Sequence, residues 1–90
     1  MLKVVVLLEA EEDFENLDYS IRERCLDKIK WLSMHPEMLG HKPLQHLPTD
    51  LRGLNSYKVG DWRILYWVYP GEGLLKIYGV QHRSKVYKGI

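Results

Sequence analysis

Basic, aromatic and imidazole side chains are concentrated at the end of this 90-residue sequence. Five of them fall within seven consecutive positions: His82, Arg83, Lys85, Tyr87 and Lys88. Two further cations, Lys58 and Arg63, precede them in a region where polar and apolar residues alternate. Lysine and arginine bind phosphate oxygens, and histidine exchanges protons near neutral pH. The cluster is therefore either one wall of a site that handles phosphate or a solvated tail, and composition alone leaves both open.

These side-chain types are sufficient for one reaction, the cleavage of RNA without a metal ion. The 2′-hydroxyl attacks the adjacent phosphate in line while a base removes its proton. Cations stabilise the phosphorane, and an acid protonates the leaving 5′-oxygen. Preorganised cationic donors are expected to contribute about 10²- to 10³-fold each, and a general acid or base contributes roughly 10²- to 10⁴-fold.

Each of these residues also has a structural interpretation. Arg63 lies in the centre of an apolar and aromatic run, where the alternative to binding phosphate is to pair with Asp61 or Glu72 or to extend toward water. The other residues have equally ordinary alternatives: a solubilising strand lysine at Lys58, a surface histidine at His82 and a packed ring at Tyr87. The residue types alone leave both interpretations open.

No metal or cofactor site is predicted from the sequence. His35, His41 and His46 lie in an irregular segment at spacings that match no ligand template, alone or with His82. The sequence has no glycine-rich phosphate loop, no nucleophile elbow and no paired carboxylates among the basic residues. A metal-dependent nuclease would need clustered acids there, whereas the sequence supplies lysine, arginine, histidine and tyrosine.

The charge distribution is uneven along the chain. The formal net charge is only +1, which argues against a polycation that coats nucleic acid. Residues 1–45 nevertheless carry a net charge of −3 and residues 46–90 a net charge of +4. A surface formed by the second half would favour an anionic partner, whereas we interpret the acidic first half as solvated exterior.

The cysteine count and the apolar segments bear on the compartment. The single cysteine, Cys25, rules out an internal disulfide and suits a reducing environment. It falls in a helical pattern, where we expect a small buried apolar role. The apolar run "VVVLL" is too short to span a bilayer and is followed at once by "EAEED". We therefore expect a cytoplasmic protein without a membrane segment.

The first half of the chain predicts one strand and two helices. "LKVVVLL" at 2–8 is β-branched and apolar, which favours a strand covered on both faces or nearly so. From 10 to 34, apolar residues recur at helical steps of three or four. Asp18 can cap a second helix, so this region divides near 17–18 into a helical hairpin that ends before Pro36.

The second half predicts a meander of three antiparallel strands. After an irregular connection at 35–53, "LNSYKV", "DWRILYWVY" and "LLKIYGVQH" follow with period two, separated by the turn sequences "GD" and "PGEG". The whole chain, 1–90, is predicted to be one α+β domain with the order β-α-α-β-β-β and a short C-terminal helix at 83–88. An antiparallel or mixed four-stranded sheet would carry the helical hairpin on one face.

Alternation in the middle strand of the meander separates two faces of the sheet. The residues predicted to face the helices are Trp62, Ile64, Tyr66 and Val68. The residues predicted for the other, partly covered face are Arg63, Leu65, Trp67 and Tyr69, with Lys58 of the preceding strand beside Arg63. We expect His82, Arg83 and Tyr87 to meet Lys58 and Arg63 across this second face.

The two basic segments together match a known pattern. Residues 57–66, "YKVGDWRILY", and residues 82–87, "HRSKVY", resemble the hairpin and terminal motifs of the RelE/ParE superfamily of type II toxin–antitoxin toxins. The segment "HPEMLGHKPLQHL" is similar as well, so the resemblance covers essentially the whole chain. Either motif alone is weak, and their combination at this separation is specific.

The resemblance implies a small α+β toxin with a basic concave sheet face, neutralised by a cognate antitoxin that wraps it. In the RelE-like branch, which the residues favour, the toxin enters the ribosomal A site and cleaves mRNA without a cofactor. Operator DNA is then contacted only indirectly, through the antitoxin. We expect Trp67 and Tyr69 on the surface that recognises the antitoxin.

The resemblance also implies roles for individual residues. Lys58 corresponds to a basic residue near the scissile phosphate, and Arg63 to the arginine that stabilises the phosphorane. Arg83 matches a phosphate ligand or acid, and Tyr87 matches the tyrosine that orients or stacks on the substrate. On chemical grounds His82 is a candidate for the general base, and Lys58 is the competing candidate.

Two other functions remain open at this point. The ParE-like branch shares the fold but inhibits DNA gyrase and does not cut RNA, and its members have similar terminal motifs. Lys58 is the only cation between positions 55 and 61, whereas ribosome-dependent relatives carry more cations there. A catalytically idle relative would act only by helping an antitoxin bind operator DNA.

Overall fold

The computed structural model describes residues 1–39 and 43–86, which contain four strands and two α-helices. In chain order these are β1 (Lys3–Val6), α1 (Leu8–Glu15), α2 (Tyr19–Met34), β2 (Asn55–Val59), β3 (Trp62–Tyr69) and β4 (Leu74–His82). Short 3₁₀ turns lie at Pro36–Met38, Thr49–Leu51 and Pro70–Glu72. The predicted order of elements is confirmed. In these parts of the chain no helix is long and apolar enough to cross a membrane.

The four strands form one mixed sheet with the order β1-β4-β3-β2. β1 pairs with β4 in parallel, and the other two pairings are antiparallel, which confirms the α+β prediction with its mixed alternative. β1 lies at an edge, and Val4, Val5 and Val6 are only partly buried. The expectation of a strand covered on both faces is therefore wrong, because the apolar run lies on an edge strand with one face against the core.

The chain turns after β4 without entering a helix in the described residues. Residues 83–85 form a turn in which the Lys85 N–H donates to the His82 carbonyl (2.8 Å). Residues 87 and 88, the end of the predicted C-terminal helix, lie outside the described residues.

The helical hairpin divides where the sequence predicts. Asp18 occupies the N-cap position of α2, but its side chain makes no capping hydrogen bond, and α2 ends before Pro36. Hydrogen bonds from Arg22 of α2 link the two helices. Its guanidinium donates to the carbonyl oxygens of Phe14 in α1 (2.8 Å) and of Leu17 in the connection (3.2 Å). Since α1 has no basic residue in its last turn, Arg22 supplies from the next helix the donor that these carbonyls need.

The core lies between the helices and one face of the sheet. Its buried side chains include Ala10, Phe14, Cys25, Ile29, Leu32, Leu75 and Ile77. The residues of β3 predicted to face the helices all belong to this core or pack against it: Trp62, Ile64, Tyr66 and Val68. Burial raises the pKa of the Cys25 thiol, against the opposing effect of the Arg24 charge. Cys25 is thus a neutral packing group, as its helical position predicts.

The opposite side of the sheet, which carries Lys58, Arg63 and Trp67 and is called the open face, is only partly covered. Leu65 points to this side and is fully buried. The segment preceding β2 contributes to the cover, because the Trp67 indole N–H donates to the Arg52 carbonyl (3.0 Å). The end of the open face beside the β2–β3 turn remains accessible, with Lys58 exposed and Arg63 partly exposed.

β3 and β4 do not pair evenly along their length. Leu65 pairs with Gly79, whereas the next residue, Tyr66, pairs with Ile77. Tyr78 is therefore an extra residue in β4, a β-bulge. A bulge of one residue changes the side of the sheet on which all later side chains of that strand lie.

The bulge exchanges the two faces in the last residues of β4. Ile77 and Val80 both lie in the core although they are three positions apart, whereas strict alternation would put them on opposite faces. Beyond the bulge, Gln81 pairs with Arg63 and His82 pairs with Trp62. Gln81 is consequently on the open face, and His82 is on the core side.

α1 begins where β1 ends and packs along the part of β4 that β1 does not reach. β1 pairs only as far as Ile77, and beyond it the Val80 N–H donates to the Asp13 carboxylate (2.9 Å). Gly79 permits this approach, since a Cβ there would lie 2.6 Å from the same carboxylate oxygen. The interpretation of the acidic half as solvated exterior is therefore wrong for Asp13, which satisfies a strand donor.

We expect Asp13→Ala and Gly79→Ala to destabilise the protein non-additively. Asp13→Ala leaves the Val80 N–H unpaired, which lowers the free energy of unfolding by about 1–3 kcal/mol. Gly79→Ala pushes the carboxylate off the same N–H, and its loss should shrink when Asp13 is already alanine. Urea unfolding of both single variants and the double variant measures this coupling. Additive losses would contradict the contact, and Glu12→Ala on the exposed side of α1 is the control.

Candidate active site

A row of three polar side chains crosses the open face beside the β2–β3 turn. Gly60 has a positive φ of 59°, as the first central position of a type II′ hairpin requires. This two-residue turn fixes the register, so Lys58 is directly opposite Arg63. Arg63 is in turn directly opposite Gln81 of β4. We call Lys58, Arg63 and Gln81 the polar row.

Arg63 is held by its own hairpin rather than by an acid. Its Nη1 donates to the carbonyl oxygens of Gly60 and Trp62, each at 2.9 Å. Neither acid considered from the sequence forms an ion pair with it in the described residues, and Asp61 lies instead against Arg83. Within the described residues, the Nε and Nη2 atoms of Arg63 have no hydrogen-bond partner. The guanidinium therefore retains donors that fit a phosphate.

Arg83 reaches the same turn from the end of β4. Its backbone N–H donates to the Asp61 carbonyl (2.8 Å), and its Nε lies 3.7 Å from the Asp61 carboxylate. The two side chains are 64% and 65% exposed, so this ion pair is a weak surface contact. The turn thus brings Arg83 to the end of the sheet where Lys58 and Arg63 lie.

Like charges face each other directly in the polar row. Lys58 and Arg63 occupy opposed positions of antiparallel strands, an arrangement that destabilises a sheet. None of the residues of β2, β3 and β4 is acidic, so the strands themselves do not compensate the repulsion. Electrostatic repulsion that lowers stability and is not offset by neighbouring strand residues is typical of functional sites. The arrangement favours an anionic ligand.

His82 does not join the polar row. It pairs with Trp62 on the core side of the sheet, and the two rings meet edge to face with centroids 5.3 Å apart. Its Nδ1 lies 3.3 Å from the Ser84 backbone N, which donates to it, and 2.9 Å from the Ser84 hydroxyl. These contacts assign the ring proton to Nε2. The expectation that His82 meets Lys58 and Arg63 across one face is wrong, because the bulge reverses the faces of β4.

Gln81 lies in the polar row although it was not predicted as a site residue from the sequence. The available signal was Gly79, because an isolated glycine inside a strand pattern often marks a bulge. The Gln81 side-chain oxygen is buried and has no hydrogen-bond donor in the described residues, so a donor that reached it would be stabilised. Tyr87, the remaining predicted site residue, lies outside the described residues.

The histidines considered as metal ligands have other surroundings. His35 stacks against Trp31 with ring centroids 4.6 Å apart, and its Nδ1 lies 3.3 Å from the Glu37 carboxylate. His41 lies outside the described residues. Within residues 1–39 and 43–86, no group of three or more His, Cys, Asp or Glu side chains is arranged to hold a metal ion.

Comparisons with known proteins agree with this architecture. A family model described as the ParE toxin of the type II toxin–antitoxin system, parDE, matches residues 4–87. Toxin RelE of Mycobacterium tuberculosis is 31% identical over 86 residues, which cover 94% of this chain and 84% of that protein.

Solved structures show the same likeness. The toxin–antitoxin complex RelBE2 from Mycobacterium tuberculosis has a chain with a TM-score of 0.73 and 28% identity, covering 91% of this chain and 98% of that one. The intact RelBE complex of E. coli has a chain with a TM-score of 0.70 over 91% of this chain and 96% of that one. Its identity is 17%, so this second match supports the fold alone.

The family model and the RelE relative show that this chain is a toxin of the RelE/ParE superfamily, and its mixed sheet and helical hairpin agree with that assignment. More specifically, the chain belongs to the ParE toxin family of type II toxin–antitoxin systems, whose model spans residues 4–87. The resemblance drawn from the hairpin and terminal motifs is thereby confirmed.

We expect Asp61→Asn to tighten the binding of anions to the polar row. The substitution removes the carboxylate beside Arg83 and, because the pair is exposed, should change the free energy of unfolding by less than about 1 kcal/mol. Fluorescence anisotropy with a 2′-deoxy oligonucleotide should show a few-fold higher affinity at low salt, and the difference should shrink as salt screens the charges. Asp27→Asn on α2 is the matched control. Equal affinity of Asp61→Asn and the parent would contradict an anion site at this turn.

Proposed function

We propose that this toxin is a ribosome-dependent mRNA endoribonuclease that cuts by attack of the RNA 2′-hydroxyl, without a metal ion. The observation that carries the proposal is the direct pairing of Lys58 with Arg63 on a sheet whose three paired antiparallel strands contain no acid. Such a pair is suited to one ligand class above others, a phosphodiester whose charge rises in the transition state.

Lys58 is the better of the two candidates for the general base. It shares a face with Arg63 and is exposed to the incoming substrate. His82 lies on the other side of the sheet, and Ser84 contacts its Nδ1. A base must lie within hydrogen-bond reach of the proton that it removes, and only Lys58 lies on the side where Arg63 can hold the same phosphate.

The two arginines take complementary roles. Arg63 stabilises the equatorial oxygens of the phosphorane with the donors that the hairpin leaves unused. Arg83, exposed at the rim of the open face, serves as a second phosphate ligand or as the acid for the leaving 5′-oxygen. Tyr87 keeps the role that its match to the family motif implies, orienting the substrate or stacking on it.

A cognate antitoxin is the protein partner in this proposal. The RelBE2 and RelBE structures similar to this chain are toxin–antitoxin complexes. The open face offers aromatic as well as cationic surface, since Trp67 meets Tyr78 edge to face (5.5 Å) and Lys76 lies over the Tyr69 ring (5.3 Å). An antitoxin that covers this face would block the polar row, and operator DNA would be contacted only through that antitoxin.

A second candidate function is inhibition of DNA gyrase without RNA cleavage. The observation that favours it is the match to a model described by the name ParE, together with a β2 strand that carries Lys58 as its single cation. Expression would then cause double-strand DNA breaks and leave messages intact. A catalytically idle co-repressor, the third possibility from the sequence, would leave growth unchanged when expressed without antitoxin.

Purified toxin added to translating ribosomes tests the main proposal. We expect cuts in the message at the A site, with the 2′,3′-cyclic phosphate ends that attack by the 2′-hydroxyl leaves. The same message without ribosomes should remain intact. Uncut message on ribosomes saturated with toxin would refute the proposal, and DNA breaks in that case would favour the gyrase alternative.

Substitutions in the polar row should separate catalysis from folding. Arg63→Ala should reduce cleavage by roughly 10²-fold or more and Lys58→Met by roughly 10²- to 10⁴-fold. Arg63→Ala should lower the free energy of unfolding by less than about 1.5 kcal/mol, because it loses hydrogen bonds but relieves repulsion. Single-turnover cleavage and urea unfolding measure the two effects, with Lys30→Ala on the exposed side of α2 as control. An Arg63→Ala protein that unfolds easily but retains full specific activity would show that Arg63 is structural.

A further inference from the structure

A cavity of about 350 Å³ lies on the core side of the sheet, at the end of β4. One part of its wall comes from the C-terminal half of α1 and the two residues that follow it, and the other from β3, β4 and the turn after β4. The residues that matter for its chemistry are Asp13, Asn16, Leu17, Trp62, His82 and Lys85. Gln81, the β4 member of the polar row, also lines the cavity, whereas Lys58 and Arg63 are not among its lining residues.

The cavity has an aromatic and apolar wall. Trp62 and His82 are both partly exposed, and their rings are perpendicular with centroids 5.3 Å apart. Leu17, whose side chain is buried, adds aliphatic surface. Planar ligands bind more tightly when they stack on such rings or meet their edges. Any nucleobase can make these contacts, because every base has a π face.

Hydrogen-bond donors face the cavity from one side. The Nδ1 atom of His82 is engaged by Ser84, so the imidazole presents Nε2–H to a ligand. Lys85 is exposed and has no ion-pair partner among the described residues. These two groups suit the ring nitrogens and carbonyl oxygens of a base.

Acceptors face the cavity from α1. Asp13 uses one carboxylate oxygen for the Val80 N–H (2.9 Å), and its other oxygen has no partner in the described residues. Asn16 uses its side-chain nitrogen to donate to the Glu12 carbonyl (3.0 Å), which leaves its oxygen as an acceptor. Acceptors beside donors suit a base edge that carries an amino group next to a ring nitrogen or carbonyl.

We propose that this cavity binds a nucleobase of single-stranded RNA adjacent to the cut phosphate, with preference for bases that carry an exocyclic amino group. The inference rests on the proposed function and adds to it a determinant of where the message is cut. Arg83 follows His82 directly in the chain, so a base in the cavity and its phosphate beside the arginines are held by neighbouring residues. His82 is then a residue that determines specificity.

Nuclear magnetic resonance titration of the full-length ¹⁵N-labelled toxin tests the site without ribosomes. CMP and UMP form a matched pair, because only CMP carries the amino group. We expect CMP to shift the Trp62 indole N–H and the Asn16 side-chain amide, to leave the Trp31 indole unchanged, and to bind roughly three- to tenfold more tightly than UMP. Equal affinities for CMP and UMP, or the same shifts with ribose 5-phosphate, would overturn the proposal.

Two histidine variants provide a matched comparison. His82→Phe keeps a ring beside Trp62 but removes the Nε2–H donor, and it should weaken CMP binding roughly three- to tenfold and reduce the difference from UMP. His35→Phe makes the same change beside Trp31 on α2 and should have no effect. Amide spectra of both variants check that they are folded. Equal losses in the two variants, or none in His82→Phe, would contradict the assignment.

Mapping of cut sites on ribosomes then connects the cavity to cleavage. With His82→Phe, we expect cuts to spread to positions that carry uracil, whereas the parent avoids them. If the parent cuts no message, the proposed function is wrong. The titration still tests whether the cavity binds a nucleobase, because it needs no ribosomes. If nucleotides leave the Trp62 indole N–H unshifted and only a cognate antitoxin shifts it, the cavity belongs to a protein interface and the nucleobase proposal is wrong.

Discussion

The extra residue in β4 decides which side chains can act together on this sheet. Pairing slips by one position between Leu65 and Tyr66, and everything after the slip changes sides. Gln81 therefore completes the row with Lys58 and Arg63, while His82 turns toward the helices. A regular β4 would have carried an imidazole beside Arg63 and an amide on the core side. The placement of the Lys58–Arg63 pair and the Trp62–His82 pair on opposite sides of the sheet follows from that single residue.

The end of β1 explains how α1 is attached to β4. β1 stops pairing at Ile77, so the β4 residues beyond the bulge would offer unpaired backbone donors at the sheet edge. Asp13 satisfies one of them at Val80, and Gly79 leaves room for the carboxylate. Because Asp13 also lines the cavity, the carboxylate that attaches α1 to β4 is at the same time part of the cavity wall. A helix that looks like an acidic exterior is thus part of the support of β4.

Local patterns in the sequence were enough for most of the fold. The change from helical period to period two, the break between the helices near Asp18 and the turn at Gly60 depend on neighbouring residues, and so does the placement of Lys58 opposite Arg63. The side of the sheet on which His82 lies depends on the bulge at Tyr78, which appears only in the pairing of β4 with β3. No periodicity within β4 contains that information. The half-buried state of β1 was missed for the same reason, because strand order is a long-range property.

Because the cations of Lys58 and Arg63 face each other, a ligand bound to the open face would affect how long the protein survives. A ligand that binds only the folded chain adds about 2.7 kcal/mol of stability at a concentration 100 times its Kd. Domains of this size have total stabilities of only about 5–15 kcal/mol, and here the like charges of Lys58 and Arg63 oppose part of that total. The unliganded toxin is consequently the form that opens most often and meets proteases first. A protein built this way would limit its own abundance whenever neither substrate nor inhibitor covers the open face.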